Sequence, residues 1–534
     1  MRAPLVAALL LGLGGTLAAQ GFTVTGAFAY EDKEWDYDGW TGARPERPIR
    51  GADVAVLDEA TGRVLGRGTT AQDGSFSVLA AAKPAHADIV VRVASTNRQR
   101  RKLVGPFTGI SVMGEDDQSY VAFSEVFAAH DTTQALDTGT TVAQTVSVGG
   151  EQGNPFDIFD CAVSAFEYLT GPVLLAAPRG AVRLHWPSFT GSWALGREAS
   201  IAAADGYDDA VILHEIGHLV HNLYSDSDSP GGIHYFGDSD QDPRLSFAEG
   251  FATFFSGCVQ QSLGRPALYV DCDGALDVGG VELRLRVEDC APYAGSVEGA
   301  SDEIAVACVL HDLVDGAASP DGLPGVDDDA LPDVAPLDGA SQARAWWAVF
   351  TGPVRKANRL TMDHVWDGWL AVHAADPHYA EVRSVFEQQR MRFWNDAAEP
   401  DDAPDLATLL APLPAGVWEP ERTLYSSASD TQGPGTGDRD WFAVDLVAGQ
   451  AVRIETRYPA GAWDARTQAD TFLSVRTPAG KLAATDDDSG TGRNARIDLP
   501  LITQAGRWTF EVSSRNAVHR YGRYEVHVVL LSAP

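Results

Sequence analysis

The chain is poor in basic residues and, beyond its N-terminus, has no long apolar segment. Lysine and arginine number 40 against 74 acidic residues, and the formal net charge is −34. A charge of this size and sign disfavours nucleic acid and anionic membrane surfaces as partners. After the first 20 residues, no segment reaches the roughly 18 consecutive apolar residues that indicate a membrane-spanning helix. The composition therefore predicts a soluble protein that binds neither nucleic acid nor a membrane.

The first 20 residues have the pattern of a secretory signal peptide. One basic residue is followed by a short apolar run and by small residues, with a predicted cleavage after Ala19. We therefore expect an exported protein, extracellular or periplasmic.

Cysteine is scarce, with five residues in 534. Export permits disulfides, and an odd count leaves one thiol over. One predicted disulfide joins Cys272 to Cys290, and a second joins Cys258 to Cys308. The sequence contains no Cys-x-x-Cys pair, which would indicate a cysteine-bound metal.

The segment with the clearest chemistry is 211–221, which contains the pattern His214-Glu215-x-x-His218. On a helix, residues four apart lie on one face, so both imidazoles can bind one zinc ion. The carboxylate of Glu215 can then reach a metal-bound water without binding the metal. Apolar residues surround the three polar ones, as expected of a buried helix. Three buried polar side chains need a partner, and a metal ion supplies one.

A third ligand is predicted at Glu249. It is the one acidic residue in the amphipathic segment 245–255, which is otherwise rich in aromatic and small residues. A glutamate buried there is costly unless it is paired or binds a metal. Two histidines and a glutamate leave one position open for water, as in catalytic zinc sites.

Two motifs together resemble the gluzincin metallopeptidases of the thermolysin and fungalysin type. These are His214-Glu-Ile-Gly-His218 and Ala248-Glu-Gly-Phe-Ala252, and the segment 302–313 is similar to the helix behind that site. The resemblance covers about residues 150–400 and implies an α+β zincin-like core with peptidase activity. The gap between His218 and Glu249 is longer than in thermolysin. In addition, Thr253 replaces the aspartate that orients the first histidine, and Asp302 or Glu303 is the candidate for that role.

The resemblance implies zinc-assisted hydrolysis of protein or peptide substrates. Glu215 is then the general base that takes a proton from water and passes it to the leaving amine. The oxyanion needs a further donor, for which the candidates are His234, Tyr235, Tyr293 and His311.

Alternating apolar and polar residues predict β-sandwiches on both sides of this core, with strands that include 53–57 and 440–446. A hairpin turn is predicted at 72–74, and the segment 126–153, rich in threonine and glycine, is predicted to be a linker. The predicted organisation is a signal peptide (1–20), an N-terminal sandwich (21–125), the peptidase domain (126–400), a linker (401–419) and a C-terminal sandwich (420–534). Segments 50–56, 61–62 and 73–76 make the first resemble transthyretin-like carboxypeptidase regulatory domains. Segments 440–446, 470–475 and 506–512 make the last similar to bacterial pre-peptidase C-terminal domains. In that domain Asp470, Asp487 and Asp488 are candidate Ca²⁺ ligands, and a plain solvated turn explains them equally well.

Two other functions remain open on the sequence. One is a surface adhesion or matrix-binding protein in which the zinc domain is degenerate, although the intact His214, Glu215, His218 and Glu249 disfavour it. The other is a zinc hydrolase of non-peptide amides in cell-wall material. The sequence does not reveal the oligomeric state or the choice between endo- and exopeptidase action.

Overall fold

The structure is a computed structural model, and it separates into two compact units. The first comprises Met1–Asp32 with Arg44–Asp160, and the second Lys33–Ala43 with Cys161–Pro534. The residues it describes are 22–81, 88–97, 109–127, 140–176, 180–238, 241–272, 283–288, 299–314, 339–356, 360–373, 379–389, 391, 393, 396–398, 401–411, 418, 422–424, 438–459, 469–515 and 522–532. No helix in these ranges is long and apolar enough to cross a membrane. The predicted signal peptide, Cys290 and Tyr293 lie outside the described residues.

The described chain is a mixed α/β structure with several sheets and seven helices. The helices are α1 (Asn154–Thr170), α2 (Asp209–Tyr224), α3 (Pro243–Ser262), α4 (Glu303–Asp312), α5 (Gly339–Thr351), α6 (Met362–Val372) and α7 (Tyr379–Gln388). The strands are β1 (Phe22–Glu31), β2 (Trp35–Asp36), β3 (Gly39–Trp40), β4 (Glu46–Pro48), β5 (Asp53–Asp58), β6 (Val64–Thr69), β7 (Ser75–Ala80), β8 (Ile89–Ala94), β9 (Ile110–Met113), β10 (Val121–Phe123), β11 (Thr140–Val148), β12 (Val182–Ser188), β13 (Trp193–Leu195), β14 (Glu198–Ala202), β15 (Leu268–Val270), β16 (Arg284–Arg286), β17 (Thr408–Leu410), β18 (Arg422–Leu424), β19 (Arg439–Leu446), β20 (Ala451–Arg457), β21 (Thr471–Arg476), β22 (Leu482–Asp486), β23 (Arg496–Leu499), β24 (Gly506–Ser514) and β25 (Gly522–Ser532).

The first unit contains two sheets. In one, β1 pairs with β4, β7 and β11; the other has the order β10-β8-β5-β6. The turn predicted at 72–74 forms, and Gly74 has a φ of +75° that favours glycine. It does not close a hairpin, because β6 pairs with β5 whereas β7 pairs with β1. The segment 126–153, predicted as a linker, contains β11, which runs parallel to β1.

Helices α2, α3 and α4 of the second unit pack closely, because glycines lie at the contacts. A Cβ on Gly217 of α2 would lie 2.8 Å from the Cα of Ala252 in α3. A Cβ on Gly250 of α3 would lie 2.5 Å from the carbonyl oxygen of Glu303 in α4. Asp208 caps the N-terminus of α2 by accepting a hydrogen bond from the backbone of Val211. The three helices therefore approach one another at positions next to the predicted zinc ligands.

The C-terminal part of the second unit is built from two sheets. Their strand orders are β17-β19-β24-β21-β22 and β18-β25-β20-β23. Apolar side chains of both sheets, including Phe442, Phe510 and Tyr524, form one buried cluster, as in a β-sandwich. The predicted linker 401–419 includes β17, which pairs with β19.

Neither predicted disulfide forms. Cys258 and Cys272, one from each predicted pair, carry no disulfide, and neither does Cys161. All three are buried, and the Cys161 thiol donates a hydrogen bond to the carboxylate of Asp209. The prediction failed because a count of cysteines does not determine which sulfur atoms come within bonding distance.

Candidate metal centre

Helices α2 and α3 bring the three predicted zinc ligands together. The Nε2 atoms of His214 and His218 lie 3.3 and 3.0 Å from the Oε2 atom of Glu249. His214 and Glu249 are buried and His218 is partly buried, and their ligand atoms all lie within 4.8 Å of one another. The four-residue spacing on α2 places both imidazoles on one helical face, and the packing of α3 against α2 supplies the carboxylate.

The donor set and its dimensions fit a zinc ion. Ligand atoms about 2.1 Å from one ion at tetrahedral angles lie about 3.4 Å from one another. The observed nitrogen–oxygen separations of 3.3 and 3.0 Å are close to that value. Two imidazoles and one carboxylate also leave one vertex of a tetrahedron without a protein ligand.

The charges of the triad are strongly coupled. Burial lowers the pKa of His214 to about 4. Burial also opposes protonation of His218, but the Glu249 carboxylate outweighs it and raises the pKa of that imidazole to about 9. Although burial disfavours its ionisation, the adjacent imidazoles hold the pKa of Glu249 well below its usual range. The carboxylate is therefore ionised and requires a positive charge beside it.

Glu215 is buried next to this triad. Burial raises the pKa of its carboxyl to about 8. Its Oε2 atom has no hydrogen-bond partner among the described residues. A buried carboxylate oxygen of this kind is able to accept a proton from a water held at the triad.

Thr253 orients the first histidine, a role that the sequence left open between Asp302 and Glu303. The Thr253 Oγ1 atom lies 3.1 Å from the Nδ1 atom of His214. Asp302 instead caps α4, since its carboxylate accepts a hydrogen bond from the backbone of Ile304. Sequence reasoning missed Thr253, which lies one helical turn after Glu249, because threonine is not the residue expected there. It also missed Tyr269, whose ring centroid lies 5.4 Å from that of His214.

Of the four candidate oxyanion donors, the structure brings His234 to the triad. Its Nε2 atom lies 3.4 Å from the Oε2 atom of Glu249. His311 is fully buried, and its Nδ1 atom lies 3.6 Å from Glu288. The backbone oxygen of Tyr235 accepts a hydrogen bond from the side chain of Gln241, and among the described residues no hydrogen bond joins its hydroxyl to the triad. Tyr293 lies outside the described residues.

His221, which follows the motif by one turn, belongs to the aromatic core. Its ring centroid lies 5.6, 5.1 and 5.8 Å from those of Phe247, Phe251 and Phe350. Burial lowers the pKa of its imidazole to about 3, so it is neutral. His221 thus packs the helices behind the site rather than binding the same ion.

The three candidate Ca²⁺ ligands do not form a compact cluster. Among the described residues, several groups of three side chains have ligand atoms within 4.8 Å of one another, and none of these groups includes Asp470, Asp487 or Asp488. Asp487 instead lies 3.4 Å from the Nε atom of Arg515. Burial, reinforced by Asp488, raises the pKa of Asp470 to about 6. Calcium binding there stays a prediction.

Comparisons with known proteins give only distant likenesses. No known family matches the chain. An uncharacterized protein of Archaeoglobus fulgidus is 26% identical over 141 residues, which cover 26% of this chain and 35%, about a third, of that protein. The pre-peptidase C-terminal domain of a Bacillus anthracis collagenase aligns with 23% of this chain and 93% of its own length, at 12% identity and a TM-score of 0.16. PliG of Aeromonas hydrophila, a periplasmic lysozyme inhibitor, aligns with 23% of this chain and 96% of its own length, at 12% identity and a TM-score of 0.15. Likenesses this weak do not establish a family or a function.

Proposed function

We propose that the protein is a secreted zinc metallopeptidase that hydrolyses peptide bonds. The observation that carries the proposal is the convergence of the His214 and His218 Nε2 atoms on one oxygen of Glu249. The buried Glu215 carboxyl beside this triad adds the group that a hydrolase needs as a general base. The signal-like pattern of residues 1–20 supports secretion.

The residues of the chain divide the work of hydrolysis between them. His214, His218 and Glu249 would hold a zinc ion, which when bound would lower the pKa of water to near 7 and polarise a carbonyl. Glu215 accepts the proton of the attacking water and returns it to the departing amine. Thr253 contacts Nδ1 of His214, which leaves Nε2 facing Glu249, where it would bind the ion.

The proposal predicts that Glu215→Gln separates metal binding from catalysis. Gln keeps the size of the side chain but cannot act as a base, so casein cleavage should fall by roughly 10²- to 10⁴-fold. Bound zinc, measured by elemental analysis, should stay at the parental level, because Glu215 is not a ligand. Glu59→Gln, at an exposed position in the first unit, is the matched control.

The outcomes separate the candidate functions. A parent chain whose casein cleavage is lost with a zinc chelator and restored by Zn²⁺ supports the peptidase. Cleavage by Glu215→Gln at the parental rate contradicts the assignment of the base. A parent chain that binds zinc but cleaves no peptide, and releases fragments from cell-wall material instead, contradicts the peptidase and favours an amidase.

A further inference from the structure

A second triad of metal-binding side chains adjoins the first and shares Glu249 with it. The ligand atoms of His234, Glu249 and Glu303 all lie within 4.8 Å of one another. The His234 Nε2 atom lies 3.4 Å from Glu249 Oε2 and 3.9 Å from Glu303 Oε2. The side chains of Glu249 and Glu303 are 10% and 1% exposed, so two carboxylates lie close together away from water. Like charges this close destabilise the structure unless a cation lies near them.

The ring of His234 is held in the orientation that metal ligation requires. Its Nδ1 atom lies 3.2 Å from the carbonyl oxygen of Gly232. A carbonyl oxygen only accepts hydrogen bonds, so Nδ1 carries the proton and donates it. In the neutral ring, Nε2 then presents a lone pair to the two carboxylates. Histidines that bind metals commonly donate their other nitrogen to a carbonyl in this way.

The backbone around His234 and Glu303 maintains this arrangement. Gly231 and Gly232 have φ angles of +60° and +123°, which allow the loop to turn back so that the Gly232 carbonyl reaches His234. Glu303 lies in the first turn of α4, where the helix dipole favours a negative charge. The contact of Gly250 with the backbone of Glu303 holds α4 against α3.

The separations suit a metal ion better than direct hydrogen bonds. A strong hydrogen bond from an imidazolium to a carboxylate spans about 2.7–2.9 Å. Two ligands about 2.1 Å from one ion are about 3.4 Å apart at a tetrahedral angle, and approach 4 Å as the angle widens. The distances of 3.4 and 3.9 Å from His234 fall in the second range.

We propose that His234, Glu249 and Glu303 bind a second divalent metal ion. The proposal rests on the proposed function, because the zinc site of the first triad shares Glu249 with it. A carboxylate that bridges two ions is the arrangement of two-metal hydrolases, in which one ion positions the nucleophile and the other the leaving group. One nitrogen and two carboxylate oxygens suit Zn²⁺ or Mn²⁺.

The test is metal stoichiometry, measured on the full chain independently of activity. The protein is stripped with a chelator and dialysed against Zn²⁺, and bound metal is counted by elemental analysis. The parent should bind about two ions per chain, and His234→Ala about one, because only the second triad includes His234. Glu303→Gln should also retain one ion. His373→Ala, a partly exposed histidine at the end of α6, is the matched control and should keep both.

The result distinguishes failure of the second site from failure of the proposed function. A parent with a single ion, or a His234→Ala variant that binds as many ions as the parent, overturns the second site and leaves the peptidase proposal intact. A His234→Ala variant that loses all zinc overturns the second site as well, because His234 would then belong to the first. A parent that binds no zinc overturns both proposals. His234 lies in a loop and is one-third exposed, so its variant decides the question if Glu303→Gln does not fold.

Discussion

Replacing Thr253 by valine should weaken zinc binding without changing the ligands. Valine has nearly the shape of threonine but cannot accept the hydrogen bond from the Nδ1 atom of His214, which is 3.1 Å long. Thr253 is 2% exposed, so water does not readily replace the lost acceptor. A buried donor left without a partner costs about 1–3 kcal/mol. Since about 1.4 kcal/mol corresponds to a factor of ten, we expect zinc affinity to fall roughly 5- to 150-fold.

The assay is competition for zinc against a chromophoric chelator of known affinity, at fixed pH and ionic strength. Thr253→Ser keeps the hydroxyl and should bind zinc within about threefold of the parent, because the acceptor is retained. The thermal midpoint of each stripped variant shows whether a loss of affinity is only a loss of folding. If Thr253→Val folds and binds zinc as tightly as the parent, the hydroxyl does not orient His214 and the reasoning is refuted.

Two further predictions concern stability. Gly250→Ala places a Cβ 2.5 Å from the Glu303 carbonyl and 2.6 Å from Val306, so it should destabilise the fold by about 1–3 kcal/mol, seen as a lower thermal midpoint. Gly257→Ala in the same helix meets its nearest neighbour at 3.1 Å and should cost less, and an equal loss in both variants would contradict the packing argument. Burial raises the pKa of Asp470 from its usual 3.8 to about 6. Between pH 3.8 and 6 the folded state therefore binds more protons than the unfolded state, and the free energy of unfolding falls as the pH rises through this range. In calcium-free buffer, the thermal midpoint of Asp470→Asn relative to that of the parent should therefore be higher at pH 7.5 than at pH 3.5. A larger relative midpoint at pH 3.5 would refute the assigned pKa shift.

Several elements could be predicted from local patterns. The helix predicted around His214 spans Asp209–Tyr224, and the segment around Glu249 lies within α3. The periodicity of apolar residues suffices there, because a helix with one buried face shows it directly in the sequence. The strands predicted at 53–57 and 440–446 also form, at Asp53–Asp58 and Arg439–Leu446. The proximity of Glu249 to both histidines was predicted from the cost of burying a lone carboxylate and from the resemblance of segment 248–252 to a gluzincin motif.

The features that escaped prediction depend on contacts between distant segments. β11 pairs with a strand more than a hundred residues away, and β17 pairs with one about thirty residues away. The sequences of β11 and β17 alone did not distinguish these strands from linkers. The turn at 72–74 was predicted correctly, but β7, which follows the turn, pairs with β1 rather than with the strand before the turn. The role of Thr253 depends on where the His214 ring lies, which requires the packing of two helices.

The proposed metal centre depends on small residues as much as on its ligands. The spacing of His214 and His218 fixes two ligands within one helix, but the third comes from a helix whose distance is set by packing. Gly217 lies immediately before His218 and contacts α3, and Gly250 lies immediately after Glu249 and contacts α4, so tight helix contacts lie next to the ligands. Helix axes usually lie about 8–10 Å apart, with the shorter distances where small residues meet. A larger side chain at Gly217 would push α3 away from α2, and with it the Glu249 carboxylate away from the imidazoles, so a variant that changes no ligand should still lose zinc.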